Sequence, residues 1–146
     1  MTADCDVIKT LLPEFRESYG CAANSVHTES QNIMDDALKE FTTGRMKGTN
    51  VILPIVADDL DGLMTKYIKP FEAAGYNVRV VFIDCPANVS AARNLARELE
   101  TGRIINSEVI FYFCGSKPEK VYNVLKDMIN SHGLPYGLEE ELEEAA

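Results

Sequence analysis

"YNVRVVFIDCP", residues 76–86, is the stretch on which the fold turns. It is rich in Val and Ile and closes at Pro86. An apolar run of that kind, bounded by a breaker, is a strand of the buried, parallel type. Directly after it the period changes. Ala91, Ala92, Leu95, Ala96 and Leu99 recur at helical spacing, and this stripe is expected to face inward.

Working upstream, residues 58–74 read as a helix stopped by Gly75. "NVILPIV", residues 50–56, reads as a second short parallel strand, with Pro54 counting against regular pairing from that point on. Residues 26–43 carry Ile33, Met34, Ala37, Leu38 and Phe41 at helical spacing, and Gly44 and Gly48 follow as breakers. Residues 6–19 start with a capping-type Asp and contain Pro13, which predicts a short helix and then a turn. Downstream, "SEVIFYFC", residues 107–114, admits two readings. Its composition favours a strand, while Asn106 and Gly115 at its ends favour a short helix. Residues 118–131 open with Pro118 and read as a helix. Helices alternating with strands predict an α/β protein with a parallel sheet and flanking helices.

The totals set bounds. A chain of 146 residues, 46% of them hydrophobic, is one domain with a sizeable core. It has 14 Lys+Arg against 23 Asp+Glu, and five of the glutamates fall in residues 138–146. Residues 1–137 are read as the folded domain and 138–146 as a solvated acidic tail. The acidity argues against a nucleic-acid binder. Cys5, Cys21, Cys85 and Cys114 match no zinc spacing, so they read as reduced thiols of a cytoplasmic protein. No leader and no membrane-length apolar segment is evident, so no membrane partner is expected.

Against this acidic background, Arg93, Arg97 and Arg103 fall within eleven positions. Arg93 and Arg97 are four apart and share a helix face. Their helix follows the carboxyl end of the best strand, the side on which open α/β sheets bind ligands. Guanidiniums there can grip phosphate oxygens bidentately. Pairing with Glu98 and Glu100 on the surface is the competing reading.

The order of segments resembles the zeta toxin family of P-loop kinases. The resemblance rests on "DCDVIKTLLPEF" (4–15), "VHTESQNIMDDAL" (26–38), "GTNVILPIVADD" (48–59), "FEAAGYNVRVVFID" (71–84) and "NVRVVFIDCPANVSAARNLARELETGRII" (77–105). It covers roughly residues 4–127. It implies a P-loop-kinase-like parallel sheet. It also implies phosphorylation of a hydroxyl on a small molecule, a nucleotide sugar such as UDP-N-acetylglucosamine, with ATP and Mg²⁺. By resemblance Asp6 is the general base, and Arg97 and Arg103 stabilise charge on the transferred phosphoryl group. Arg93, one turn earlier, is a third phosphate contact. Read without the family, Asp6 is a helix cap. His27 and Glu29 either shape a substrate pocket or form an exposed pair at a helix start. His132 reads as simply exposed. An antitoxin partner is a further implication of the family.

The sequence departs from the family in two places. No G-x-x-x-x-G-K-S/T occurs, so the backbone nest and Lys that hold ATP phosphates are absent. The first strands that accompany that loop are absent too. The strand expected between 50–56 and 78–84 would then be missing, and each buried backbone group left unpaired costs about 1–3 kcal/mol. The expectation is therefore the C-terminal portion of a longer kinase, incomplete and inactive alone, or a piece completed by another chain. The alternative is a non-catalytic binding or interaction module derived from such a kinase. A third reading is an unrelated α/β domain with an acidic ligand. The second departure is at residues 53–56, "LPIV", where the family has Glu-Gly-Thr to touch the sugar. Pro54 and Val56 supply no such side-chain hydrogen bonds. Asp58 and Asp59 are either polar ligands, for substrate or Mg²⁺, or helix caps.

Overall fold

The computed structural model describes residues 1–19, 23–101, 117–132 and 137–142. The chain divides into two compact units. One is Met1–Ile55 with the later helix from Ala92 onward; the other is Val56–Ala91 with the two last elements of the chain.

In the first unit, helix α1 spans Cys5–Leu11 and α2 spans Pro13–Glu17. Asp4 starts α1, its carboxylate accepting the Asp6 N–H at 2.8 Å. Leu12 separates the two helices with extended backbone (φ −78, ψ 134). The cause is local, because a residue before proline is pushed out of the α region. Helix α3 spans His27–Thr42 and buries Ser30, Met34, Leu38 and Phe41. Their i, i+4 spacing lines one face, and α1 packs on that helix. Leu12, Ala23 and Val26 are also buried in this unit, as is Lys9. Ile33, counted with the apolar stripe, lies instead on the exposed side.

In the second unit, residues 60–73 form one continuous helical run. It opens as α4, Leu60–Gly62, passes through a π segment at Leu63–Ile68, and closes as α5, Lys69–Ala73. Asp59 caps it, accepting from the Asp61 N–H at 3.3 Å and the Gly62 N–H at 2.7 Å. Gly62 leaves room for that carboxylate, since a Cβ there would lie 2.8 Å from the Asp59 Oδ2. Asp59→Ala is expected to cost about 1 kcal/mol, read from the urea midpoint, in the usual range for a lost cap. The π segment has a cause in Pro70. A proline inside a helix lacks its N–H and crowds the carbonyl four residues back, and the wider i→i+5 turns relieve that, as with the Lys69 N–H bonding the Met64 carbonyl. The run ends as the sequence predicts. Gly75 has φ +91, its N–H bonds Glu72 at 2.8 Å, and the Tyr76 N–H reaches back to Phe71 at 3.0 Å. That is a Schellman stop, closed by edge-to-face packing of Phe71 and Tyr76 at 5.1 Å.

Strand β1, Arg79–Asp84, follows, and then helix α6, Ala87–Thr101. Helix α7 spans Lys117–His132, and strand β2 spans Gly137–Leu142. β1 and β2 pair in parallel from Arg79↔Gly137 to Asp84↔Leu142. The core is Leu63, Met64, Ile68, Val121 and Leu125, with Val78 and Val80 packed against it. Phe82 stacks on Tyr122 of α7 at 5.0 Å.

The protein thus mixes helices with a parallel strand pair, and it corrects the sequence reading at three points. Residues 50–56 do not form a strand; only Ile52 makes a bridge, to Thr2. Pro54 lacks the N–H a ladder needs, and Ile52 and Val56 are exposed. The apolar stripe of α6 does not face inward, since Leu95 is 57% and Leu99 82% exposed. Periodicity shows that one face is apolar; what covers it is a tertiary matter. Part of the stretch read as a solvated acidic tail is strand β2. Residues 107–114, whose helix or strand state was left open, lie outside the described residues. No helix among the described residues is long and apolar enough to cross a membrane.

Candidate functional site

The first turn of α1 carries the site. Asp4 takes the capping role, so Asp6 does not. Asp6 sits one position inside the helix and accepts from the Lys9 ammonium at 3.2 Å. The i, i+3 spacing puts the two side chains on one face. Their exposures differ: the Lys9 side chain is 9% exposed and that of Asp6 45%. A buried ammonium needs a carboxylate to offset its desolvation, and Asp6 is that carboxylate. A carboxylate has about four lone-pair sites, so accepting from Lys9 does not exhaust it. The result is an oriented, solvent-reachable carboxylate that can take a proton from a hydroxyl. Lys9 was not singled out as a functional residue in the sequence. Its three-residue spacing from Asp6 was the available signal.

The first turn of α3 lies against this turn. The Cys5 thiol donates to the Ser30 carbonyl at 3.9 Å, and the fully buried Ser30 hydroxyl donates to the His27 carbonyl at 2.8 Å. The backbone of His27 is thus tied down while its side chain, like that of Glu29, is exposed. The structure therefore brings the His27–Ser30 turn to the Asp6 turn.

Arg93 and Arg97 stand four apart on α6, Arg93 half-buried and Arg97 exposed. Both fall in the part of α6 that belongs to the unit of α1 and α3. Arg103 lies outside the described residues, as do Cys21 and Cys114; among the described residues Cys5 and Cys85 form no disulfide. His132 ends α7. Of the two aspartates following "LPIV", Asp59 is a helix cap.

The sequence carries no G-x-x-x-x-G-K-S/T motif for the phosphates of ATP. The 146 residues contain no glycine-rich nest with its Lys and Ser/Thr. Among the described residues no group of three or more His, Cys, Asp or Glu could hold a metal ion such as Mg²⁺.

Residues 2–126 match the zeta toxin family. No curated protein and no solved structure matches the chain.

Proposed function

The chain belongs to the zeta toxin family, and from that premise we propose that it is the substrate side of a kinase acting on a hydroxyl of a small molecule. A nucleotide sugar such as UDP-N-acetylglucosamine is the substrate class the family suggests. The observation that carries the proposal is the Asp6–Lys9 pair, a solvent-reachable carboxylate oriented by a buried ammonium 3.2 Å away. In this reading Asp6 accepts the proton as the hydroxyl oxygen attacks phosphorus. Arg97 and Arg103 neutralise charge on the phosphoryl group in transit, and Arg93 is a third phosphate contact. In this reading His27 and Glu29, exposed on the first turn of α3, contact the incoming sugar. The family's donor is ATP with Mg²⁺. Its phosphate loop would come from outside these residues and complete a P-loop-kinase-like parallel sheet. Action in the cytoplasm and restraint by an antitoxin belong to the same reading.

A second reading is a non-catalytic binding module. Pro54 and Val56 favour it, since neither offers the hydrogen bonds by which the family holds its sugar. One experiment separates the two. The native protein, purified from its source cell, is incubated with ATP, Mg²⁺ and UDP-N-acetylglucosamine and followed by ³¹P NMR. A new phosphomonoester resonance is expected. Nucleotide-sugar binding without turnover would favour the module, and neither binding nor turnover would defeat both readings.

A further inference from the structure

Lys9 has more bonding capacity than its surroundings use. An ammonium carries three N–H donors. Among the described residues its one acceptor is Asp6 Oδ1, at 3.2 Å. The polar groups where α1 meets α3 bond one another instead: the Cys5 thiol donates to the Ser30 carbonyl, and the Ser30 hydroxyl to the His27 carbonyl. Two donors of Lys9 therefore lack an acceptor among the described residues, on a side chain only 9% exposed. Buried donors are ordinarily paired, and a charged one short of acceptors is costly. An ordered water can serve in the free protein, and a ligand oxygen can take its place. Asp6 brings the complementary capacity, a carboxylate on a side chain that is 45% exposed. A donor and an acceptor thus stand side by side at the start of α1, and a ligand that reaches the carboxylate comes within range of the ammonium.

We propose that Lys9 and Asp6 together recognise a vicinal diol on the sugar ring, Lys9 donating to one hydroxyl oxygen while Asp6 accepts from the neighbouring hydroxyl. The inference rests on the reading of this site as the acceptor side of a sugar kinase. Two adjacent oxygens fit the pair better than one. Ammonium and carboxylate oxygen stand 3.2 Å apart, close to the separation of gauche hydroxyl oxygens on a pyranose ring. Two hydrogen bonds of about 2.7–3.0 Å then close a near-square. A single hydroxyl bridging both groups closes a triangle, whose corners are much tighter than the tetrahedral angle between N–H bonds. Its hydrogen bonds are bent further and so are weaker. In N-acetylglucosamine the vicinal pair is O3 and O4, whereas O6 has no hydroxyl neighbour. In the transfer step the hydroxyl facing Asp6 gives its proton to that carboxylate as its oxygen bonds phosphorus. The phosphorus–oxygen bond of the donor breaks, and its electron pair leaves with the nucleoside diphosphate. Lys9 keeps its protons and holds the second oxygen, which decides which hydroxyl meets the base. A site that hydrogen-bonds a hydroxyl rejects an analogue lacking it, so Lys9 is a specificity-determining residue.

The test is equilibrium binding to the full chain by calorimetry, which needs no phosphate donor. The probes are UDP-N-acetylglucosamine, its 3-deoxy, 4-deoxy and 6-deoxy forms, and the form with 2′-deoxyribose, since the ribose carries a diol of its own. Lys9→Met keeps an unbranched side chain and removes its donors. It is expected to weaken UDP-N-acetylglucosamine roughly tenfold, the scale of one hydrogen bond to a charged group. That loss is expected to vanish with either the 3-deoxy or the 4-deoxy sugar and to persist with the 6-deoxy sugar. An equal loss with every probe would mean that Lys9 acts only by orienting Asp6, and would overturn the proposal. A loss that vanishes only with the 2′-deoxyribose form would overturn it too, by moving the diol to the ribose. Binding that Lys9→Met leaves unchanged removes this inference alone. No binding of any probe by the parent chain removes the reading of the chain as a substrate side, and this inference with it. A measurement on the unsubstituted chain does not depend on how the variant folds. The ¹⁵N resonance of Lys9 Nζ is expected to move on saturation with UDP-N-acetylglucosamine and to keep its free position with the deoxy sugar that lacks its partner oxygen. A resonance that the parent sugar leaves unmoved would sink the idea.

Discussion

Asp6→Asn is expected to lower phosphoryl transfer by the catalytically complete protein about 10²–10⁴-fold, the usual contribution of a positioned general base. The substitution keeps the shape of the side chain and an oxygen for the Lys9 ammonium. It removes the charge and the proton affinity. Because the Lys9 side chain is only 9% exposed, losing the Asp6 charge leaves a buried ammonium without that counter-charge and lowers stability as well. The Asp4 cap of α1 is untouched. Turnover is therefore compared under conditions where the far-UV spectrum shows the variant to be folded. Turnover within a few-fold of the parent would remove Asp6 from the role of base, whatever the stability of the variant.

The second large effect is on stability. Leu125→Ala is expected to destabilise the protein by about 2–5 kcal/mol, measured by urea unfolding. Leu125 is fully buried and sits among Leu63, Met64, Ile68 and Val121. Truncation loses the transfer free energy of the side chain and leaves a cavity where α7 meets the π segment. Against a typical total of about 5–15 kcal/mol, that is a large fraction. Leu99→Ala is the matched control. Leu99 is 82% exposed, so its loss should fall within about 0.5 kcal/mol. Equal effects at the two positions would mean that the α6 stripe is buried in solution and Leu125 is not the centre of the core.

Much of this protein was legible from short range. Pro13 divides α1 from α2, Asp59 starts the helical run and Gly75 stops it, each through the backbone of its immediate neighbours. The composition of 79–84 made it the clearest strand, and it is one. The order of segments led to the zeta toxin family, to which the chain belongs. The local setting of the candidate residues was legible in part. Asp6 was singled out through the family, and its ordinary reading as a cap was misplaced by two residues, because Asp4 holds that position. Lys9 was passed over because sequence shows a cation without showing that it is buried.

What the sequence by itself determined is therefore local: where helices begin and end, which face of each is apolar, and which strand is built for burial. Those features depend on torsional preferences and on hydrogen bonds spanning a few residues. Only the tertiary structure decided which apolar faces are covered. It left the stripe of α6 exposed, gave "NVILPIV" no strand, and set an acidic segment beside the most apolar strand of the chain. Burial and strand pairing require a second surface distant in sequence. A periodic pattern records the demand for that surface without identifying what meets it.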